Sequence, residues 1–269
     1  MADSSGKEAE KPIKRRHRHL PLPPVKPPSI FIAMACSGKG TPIQSDKCPP
    51  NTFPVLAGAA LTSGRQPGLS YDDFGQNISK EYPLYGLLTV TYWLHKNAPD
   101  FDFLGICDEC RRLLITENHR HGFARKKIDV VLPSQRIKLS DIEAYFHPDA
   151  QGSLRREDYE RLMGVLDEKY PDMAACVRDL FSHEFVLPSN ILVARSDIFH
   201  AYAEFLFAVL QTLQQENASV GIQQEPGSLC MLGRLLTTLY FEYHKEDYKI
   251  KRVNCHTIVT NHHKPRKME

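Results

Sequence analysis

Residues 101–115, FDFLGICDECRRLLI, constrain the fold more than any other stretch of the chain. Phe103-Leu104-Gly105-Ile106-Cys107 is too short and too uniformly apolar for an amphipathic helix, and it reads as a strand buried on both faces. Asp108 and Glu109 follow at its carboxyl end, which is where open α/β sheets bind ligands. Two carboxylates there can hold a hard divalent cation, Mg²⁺ or Mn²⁺, through oxygen, and such a cation commonly accompanies phosphate. Arg111 and Arg112 add planar forks of N–H donors that match phosphate oxygens. The corner reads as a nucleotide-sugar site, working or remnant, with an ordinary strand-end charge pair as the alternative.

The other segments agree with a sheet wrapped in helices. Ile30–Cys36 (IFIAMAC) is a second buried strand, and the SGKGTP after it is a glycine-rich turn, since its spacing fails the phosphate-loop pattern GxxxxGK[ST]. Residues 48–68, rich in proline, glycine and small side chains, read as a long loop. A helix is expected from Pro83 to Asn97, because proline suits a first turn and Leu84, Leu87, Leu88, Thr91 and Leu94 line one side. After the central strand come a helical turn and a charged loop, 119–127, then a strand at Ile128–Leu132. Ser153–Tyr170 is an amphipathic helix closed by Pro171. Phe185–Leu187 and Ile191–Val193 read as strands around Pro188-Ser189-Asn190. Ser196 is expected to cap a helix reaching Gln214 through Phe199, Tyr202, Phe205, Leu206, Val209 and Leu213. Gly227 opens a last helix, Ser228–Tyr243, and Cys255–Val259 is a final strand. Strands alternating with helices imply an α/β fold with helices on both faces of the sheet.

Composition bounds the rest. At 269 residues and 42% hydrophobic content the chain can bury one substantial core, and a formal charge of +2 argues against a nucleic-acid surface. Basic residues gather at the ends instead. Residues 1–28, with KRRHRH and PLPPVKPP, form a basic, proline-rich arm expected to be disordered; 261–269 are a basic tail. Both read as solvated segments, with peripheral contact to an anionic surface as the alternative. The 7 cysteines, odd in number and scattered, suit reduced thiols in a cytoplasmic setting, and no apolar run is long enough to span a bilayer.

Smaller constellations carry less. Cys107-x-x-Cys110 lacks a second cysteine pair for a structural zinc, so a buried Cys107 and an incidental Cys110 is the preferred reading over a metal or redox site. Asp100-Phe101-Asp102 has the form of an Asp-x-Asp metal motif but precedes the strand, at the end where sites are not expected, and reads as a solvated turn.

Several segments, taken in order, resemble the DUF4422 family of capsular and exopolysaccharide glycosyltransferases. They are Asp73-Phe74-Gly75-Gln76-Asn77-Ile78-Ser79; Tyr85, Tyr92-Trp93 and Lys96-Asn97; Gly105-Ile106-Cys107 with Arg111-Arg112; Asp129–Pro133; His147 and Asp149; Asn190–Val193; Phe199–Leu210; and Arg234-Leu235-Leu236. The resemblance covers residues 29–260 and implies a GT-A-like fold, a mixed, mostly parallel sheet. It also implies transfer of a hexosyl unit from a nucleotide sugar to a glycan or other hydroxyl acceptor. On that reading Asp108 and Glu109 hold a Mg²⁺ or Mn²⁺ ion, and His147 or Glu109 acts as general base. Asp73, Asn77, Ser79, Tyr85, Arg111, Arg112, Asn190 and Arg234 bind substrate. Cys36-Ser37, Asp108-Glu109, Leu87 and Gly233 stand where the family has Thr-His, His-Tyr, Glu and Glu. These departures give a second reading, a catalytically degenerate member that binds without transferring.

Overall fold

The computed structural model describes residues 26–38, 48–134, 137–138, 154–182, 185–186 and 190–257. Residues 1–25 of the expected arm, the tail at 261–269, Lys39 to Thr41 of the glycine-rich turn, and His147 with Asp149 lie outside them.

The chain opens with β1 (Ile30–Cys36), β2 (Thr52–Leu56) and β3 (Ser70–Tyr71), then α1 (Tyr82–Tyr85), α2 (Leu88–Asn97) and β4 (Phe103–Asp108). Next come β5 (Arg111–Leu113), α3 (Glu117–Lys126), β6 (Val130–Pro133), β7 (Ile137–Lys138), α4 (Arg156–Lys169) and α5 (Pro171–Ser182). The remainder is β8 (Phe185–Val186), β9 (Leu192–Arg195), α6 (Ser196–Ser219), α7 (Ser228–Tyr243), β10 (Ile250–Val253) and β11 (Cys255–Thr257). No helix among the described residues is long and apolar enough to cross a membrane.

Seven strands form one sheet in the order β10-β6-β9-β4-β1-β2-β3. Only β9 runs against the others, pairing antiparallel with both β4 and β6. That reversal positions the site. It brings Asn190 and Ile191, just before β9, to the same edge as the carboxyl ends of β1 and β4. There Asp108 lies opposite Ala35 and Ile106 opposite Leu192.

Side chains alternate across the sheet, so two cores form. Leu104 and Ile106 of β4 join Ala33 and Ala35 in the larger core, with Leu88 and Leu94 of α2, Leu162 and Leu166 of α4, and Leu206, Leu210, Leu232 and Leu236 of α6 and α7. Phe103 and Cys107 face the other way, packing with Ile32, Met34 and Phe123 of α3. Helices therefore cover both faces, as the apolar strands imply. Gly105 lets the central strands close up: a Cβ there would lie 2.7 Å from a Val193 methyl and 3.0 Å from the Leu192 carbonyl oxygen.

Several local expectations change. The single helix at 83–97 is two, because Gly86 turns to φ +51 and ends the first. The 48–68 loop contains β2, whose Pro54 is accommodated because β3 pairs only with Val55 and Leu56, leaving the ladder open at the proline. The expected helical turn after the central strand is β5, paired antiparallel with β11. The charged loop 119–127 is α3, started by a capping box between Thr116 and His119. Pro171 closes α4 and also begins α5, a helix the sequence reading does not contain. Ser196 starts α6, but its hydroxyl donates to the Phe101 carbonyl and does not cap.

Candidate functional site

Between the end of β4, α2, α7 and the Asn190-Ile191 segment lies a hollow of about 40 Å³. It has room for roughly three water molecules. Asp108, Arg111, Asn190 and Arg234 line it together with Thr91, Cys230 and the apolar Leu87, Leu88 and Ile106. Of the residues singled out in the sequence, these four polar ones are brought together.

Asp108 is the last residue of β4, 9% exposed, and shares the register of Leu104 and Ile106, so it faces α2 and α7. Its Oδ1 accepts the amides of Cys110 at 3.0 Å and Arg111 at 2.6 Å. Its Oδ2 accepts Arg111 Nε at 3.0 Å and Nη2 at 2.7 Å. Both carboxylate oxygens are thus engaged by a tight turn and one guanidinium. Glu109, one residue beyond the strand, accepts the Ser37 hydroxyl at 2.5 Å from the end of β1. As placed, the acidic pair does not fit a divalent cation: an ion at Asp108 would have to displace Arg111. Among the described residues no group of three or more His, Cys, Asp or Glu side chains gathers to complete such a site.

Arg234 reaches the hollow from α7 and makes no ion pair with a described residue. Asn190 is held by the hydroxyl of Thr237, 3.1 Å from its Oδ1, and Thr237 is in turn 2.7 Å from the buried Tyr202 hydroxyl. A network reaching into the core thereby fixes the amide of Asn190. Arg112 belongs elsewhere. Its Nη2 donates to the Glu109 carbonyl at 3.3 Å, and its charge acts on the thiols of Cys36 and Cys107 in the smaller core.

Those two thiols are inert. Burial pushes Cys36 up to about 12 and raises Cys107 further, so neither is a thiolate at neutral pH. Cys110 contributes its amide to the Asp108 turn. His119 caps α3, and Asp102 is a structural acceptor for the Ser29 amide and hydroxyl at 2.7 and 2.8 Å.

The remaining expected substrate-binding residues are engaged within the protein. Asp73 pairs with Arg65 through two hydrogen bonds, at 3.0 and 2.6 Å. Asn77 bridges the Gly75 carbonyl and the Ser79 amide. Ser79 is fully buried and donates to Asp72 at 2.5 Å. Asp72, also fully buried, further accepts the amides of Gly58 and Ala59, each at 2.9 Å, and so ties two loops together. Tyr85 is buried between helices and donates to Gln214 Oε1 at 2.9 Å. None of these four lines the hollow. The sequence reading leaves out Cys230 and treats Thr91 as one more core position; a buried polar residue at helical spacing gives no signal that separates it from packing.

A comparison with known families matches residues 34–246, well over half of the 269-residue chain, to the family described as Domain of unknown function (DUF4422). The chain belongs to the DUF4422 family. No curated protein matches it. Among solved structures, the apo structure of the bifunctional glycosyltransferase WbbM aligns with a TM-score of 0.69 and 21% identity, covering 86% of this chain and 46% of that one. This DUF4422 chain therefore spans about half the length of the WbbM chain. The likeness is one of fold, and it bears out the GT-A-like arrangement of a mostly parallel mixed sheet between helices.

Proposed function

We propose that this DUF4422 chain is a nucleotide-sugar-dependent glycosyltransferase. It moves a hexosyl unit from a nucleoside diphosphate to a hydroxyl of a glycan acceptor. The observation that carries the reading is the meeting of Arg234, Arg111 and Asn190 at one hollow on the carboxyl edge of the sheet. In the transfer, the bond between the anomeric carbon and the diphosphate oxygen breaks, and the acceptor oxygen bonds to that carbon. Negative charge grows on the departing diphosphate, where Arg234 and Arg111 supply fixed positive charge. The acceptor's proton goes to a carboxylate, Glu109 just beyond β4, or to His147. Asp108 holds Arg111 in place through its two oxygens. The fold shared with WbbM supports the reading, and reduced thiols suit a cytoplasmic site of polysaccharide assembly.

The second reading, binding without transfer, is favoured by Leu87 and Leu88 on the wall of the hollow and by the occupied oxygens of Asp108. Release of nucleoside diphosphate from a panel of uridine and guanosine diphosphate hexoses, with and without Mn²⁺, separates the two. Release above the buffer rate that falls at least tenfold in Arg234→Ala supports transfer. Tight binding with no release supports the second reading, and neither binding nor release excludes both.

A further inference from the structure

Thr91 is 1% exposed, lines the hollow, and its hydroxyl has no hydrogen-bond partner among the described residues. The usual escape for a buried helical threonine is to donate to a carbonyl one turn back. Thr89 does so to Gly86 and Thr238 to Arg234, each at 3.1 Å. Thr91 does not. A buried hydroxyl left unpaired carries a desolvation penalty, which an arriving partner removes.

The surroundings indicate what that partner is. The walls are apolar, with Leu87, Leu88 and Ile106, and carry a few convergent polar groups, the usual build of a small-molecule site. A hollow of about 40 Å³ admits the edge of a sugar ring, a hydroxyl or hydroxymethyl group, and not the ring itself. A threonine hydroxyl both donates and accepts, which matches a sugar hydroxyl in either orientation. The arginines stand at the same hollow, where the diphosphate of the same molecule would lie.

We propose that Thr91 is a specificity-determining residue that hydrogen-bonds a hydroxyl on the buried edge of the transferred sugar. The assignment rests on the nucleotide-sugar reading above and adds to it the group that reads the sugar rather than the nucleotide.

Calorimetry with uridine diphosphate (UDP), UDP-glucose and UDP-galactose tests it on the full chain, on Thr91→Val, which keeps the shape, and on Thr91→Ser, which keeps the hydroxyl. The wild-type chain is expected to bind at least one of the two hexoses more tightly than UDP. Thr91→Val should lose about tenfold of that gain with its affinity for UDP unchanged, whereas Thr91→Ser keeps most of it. The thermal midpoint of Thr91→Val should equal or exceed wild type, because an unpaired buried hydroxyl has been removed, and this rules out misfolding as the cause. A full gain retained in Thr91→Val, as when only an ordered water occupies the hollow, overturns the assignment and leaves the nucleotide-sugar reading standing. So does an equal loss for UDP and its sugars, or a wild-type chain for which the hexose adds nothing. A wild-type chain that binds neither these ligands nor guanosine diphosphate and its hexoses defeats both.

Discussion

Arg111 grips Asp108 from three residues away, with Nε and Nη2 both on Oδ2 at 3.0 and 2.7 Å, while its own amide bonds Oδ1. The pair is largely shielded, with side-chain exposures of 27% and 13%. It therefore exceeds the small contribution of a surface ion pair. Asp108→Ala strands the guanidinium and opens the turn, with an expected cost of about 2–3 kcal/mol in urea unfolding. Arg111→Lys should cost less, since an ammonium keeps the charge but loses the fork.

Asp72 and Asp73 are neighbours with opposite fates. Asp72 is fully buried under the Gly58 and Ala59 amides and the Ser79 hydroxyl, whereas Asp73 meets an Arg65 that is 59% exposed. Asp72→Ala is expected to lower stability by about 3 kcal/mol and Asp73→Ala by less than about 0.5 kcal/mol. Chemical unfolding of the two variants side by side checks this. Equal effects would mean that the loop is not organised around Asp72.

The Nδ1 atoms of His95 on α2 and His200 on α6 lie 3.0 Å apart, close enough for one shared proton and too close for two. Burial, then the charges of Lys96 and His200, lowers His95 to about 4. Between about 4 and the ordinary histidine value of 6.5 the unfolded chain binds the proton that the folded chain refuses. Stability from this site is thus complete above about 6.5 and is lost as pH falls toward about 4, with a total on the order of 3 kcal/mol. Thermal midpoints measured across that window should fall with acid in the wild type and flatten in His95→Gln.

Gly105 is where β4 is squeezed between β1 and β9. Gly105→Ala would place a methyl 2.7 Å from Val193 and 3.2 Å from Ile32, with the Leu192 carbonyl at 3.0 Å leaving no room on that side. The expected cost is about 2 kcal/mol, read from the urea midpoint.

Much of this architecture is visible in the residues because burial on both faces writes a strand as an unbroken apolar run, as in Ile30–Cys36 and Phe103–Cys107. Long helices with wide apolar faces, α6 and α7, are equally plain. What hides is structure held by few side chains. α3 buries only Phe123, so its charges read as a loop. β2 carries Pro54 and lies among prolines, and the role of β3 as a partial neighbour has no local signature. The polar lining of the hollow is legible at Asp108, Arg111, Asn190 and Arg234, where charged or amide groups flank strands and helices. Asp73, Asn77, Ser79 and Tyr85 lie off the hollow, with polar atoms engaged within the protein, and Thr91 on its wall looks in the sequence like one more core position.

The central claim is that guanidinium groups at the carboxyl edge of the sheet receive the diphosphate of a nucleotide sugar. Titrating UDP into the wild-type chain and into Arg234→Ala, first in EDTA and then in Mn²⁺, tests it most directly. The account predicts binding in EDTA that Mn²⁺ improves little, weakened about tenfold or more in Arg234→Ala at an unchanged thermal midpoint. Binding that appears only with Mn²⁺, or that Arg234→Ala leaves intact, would contradict it.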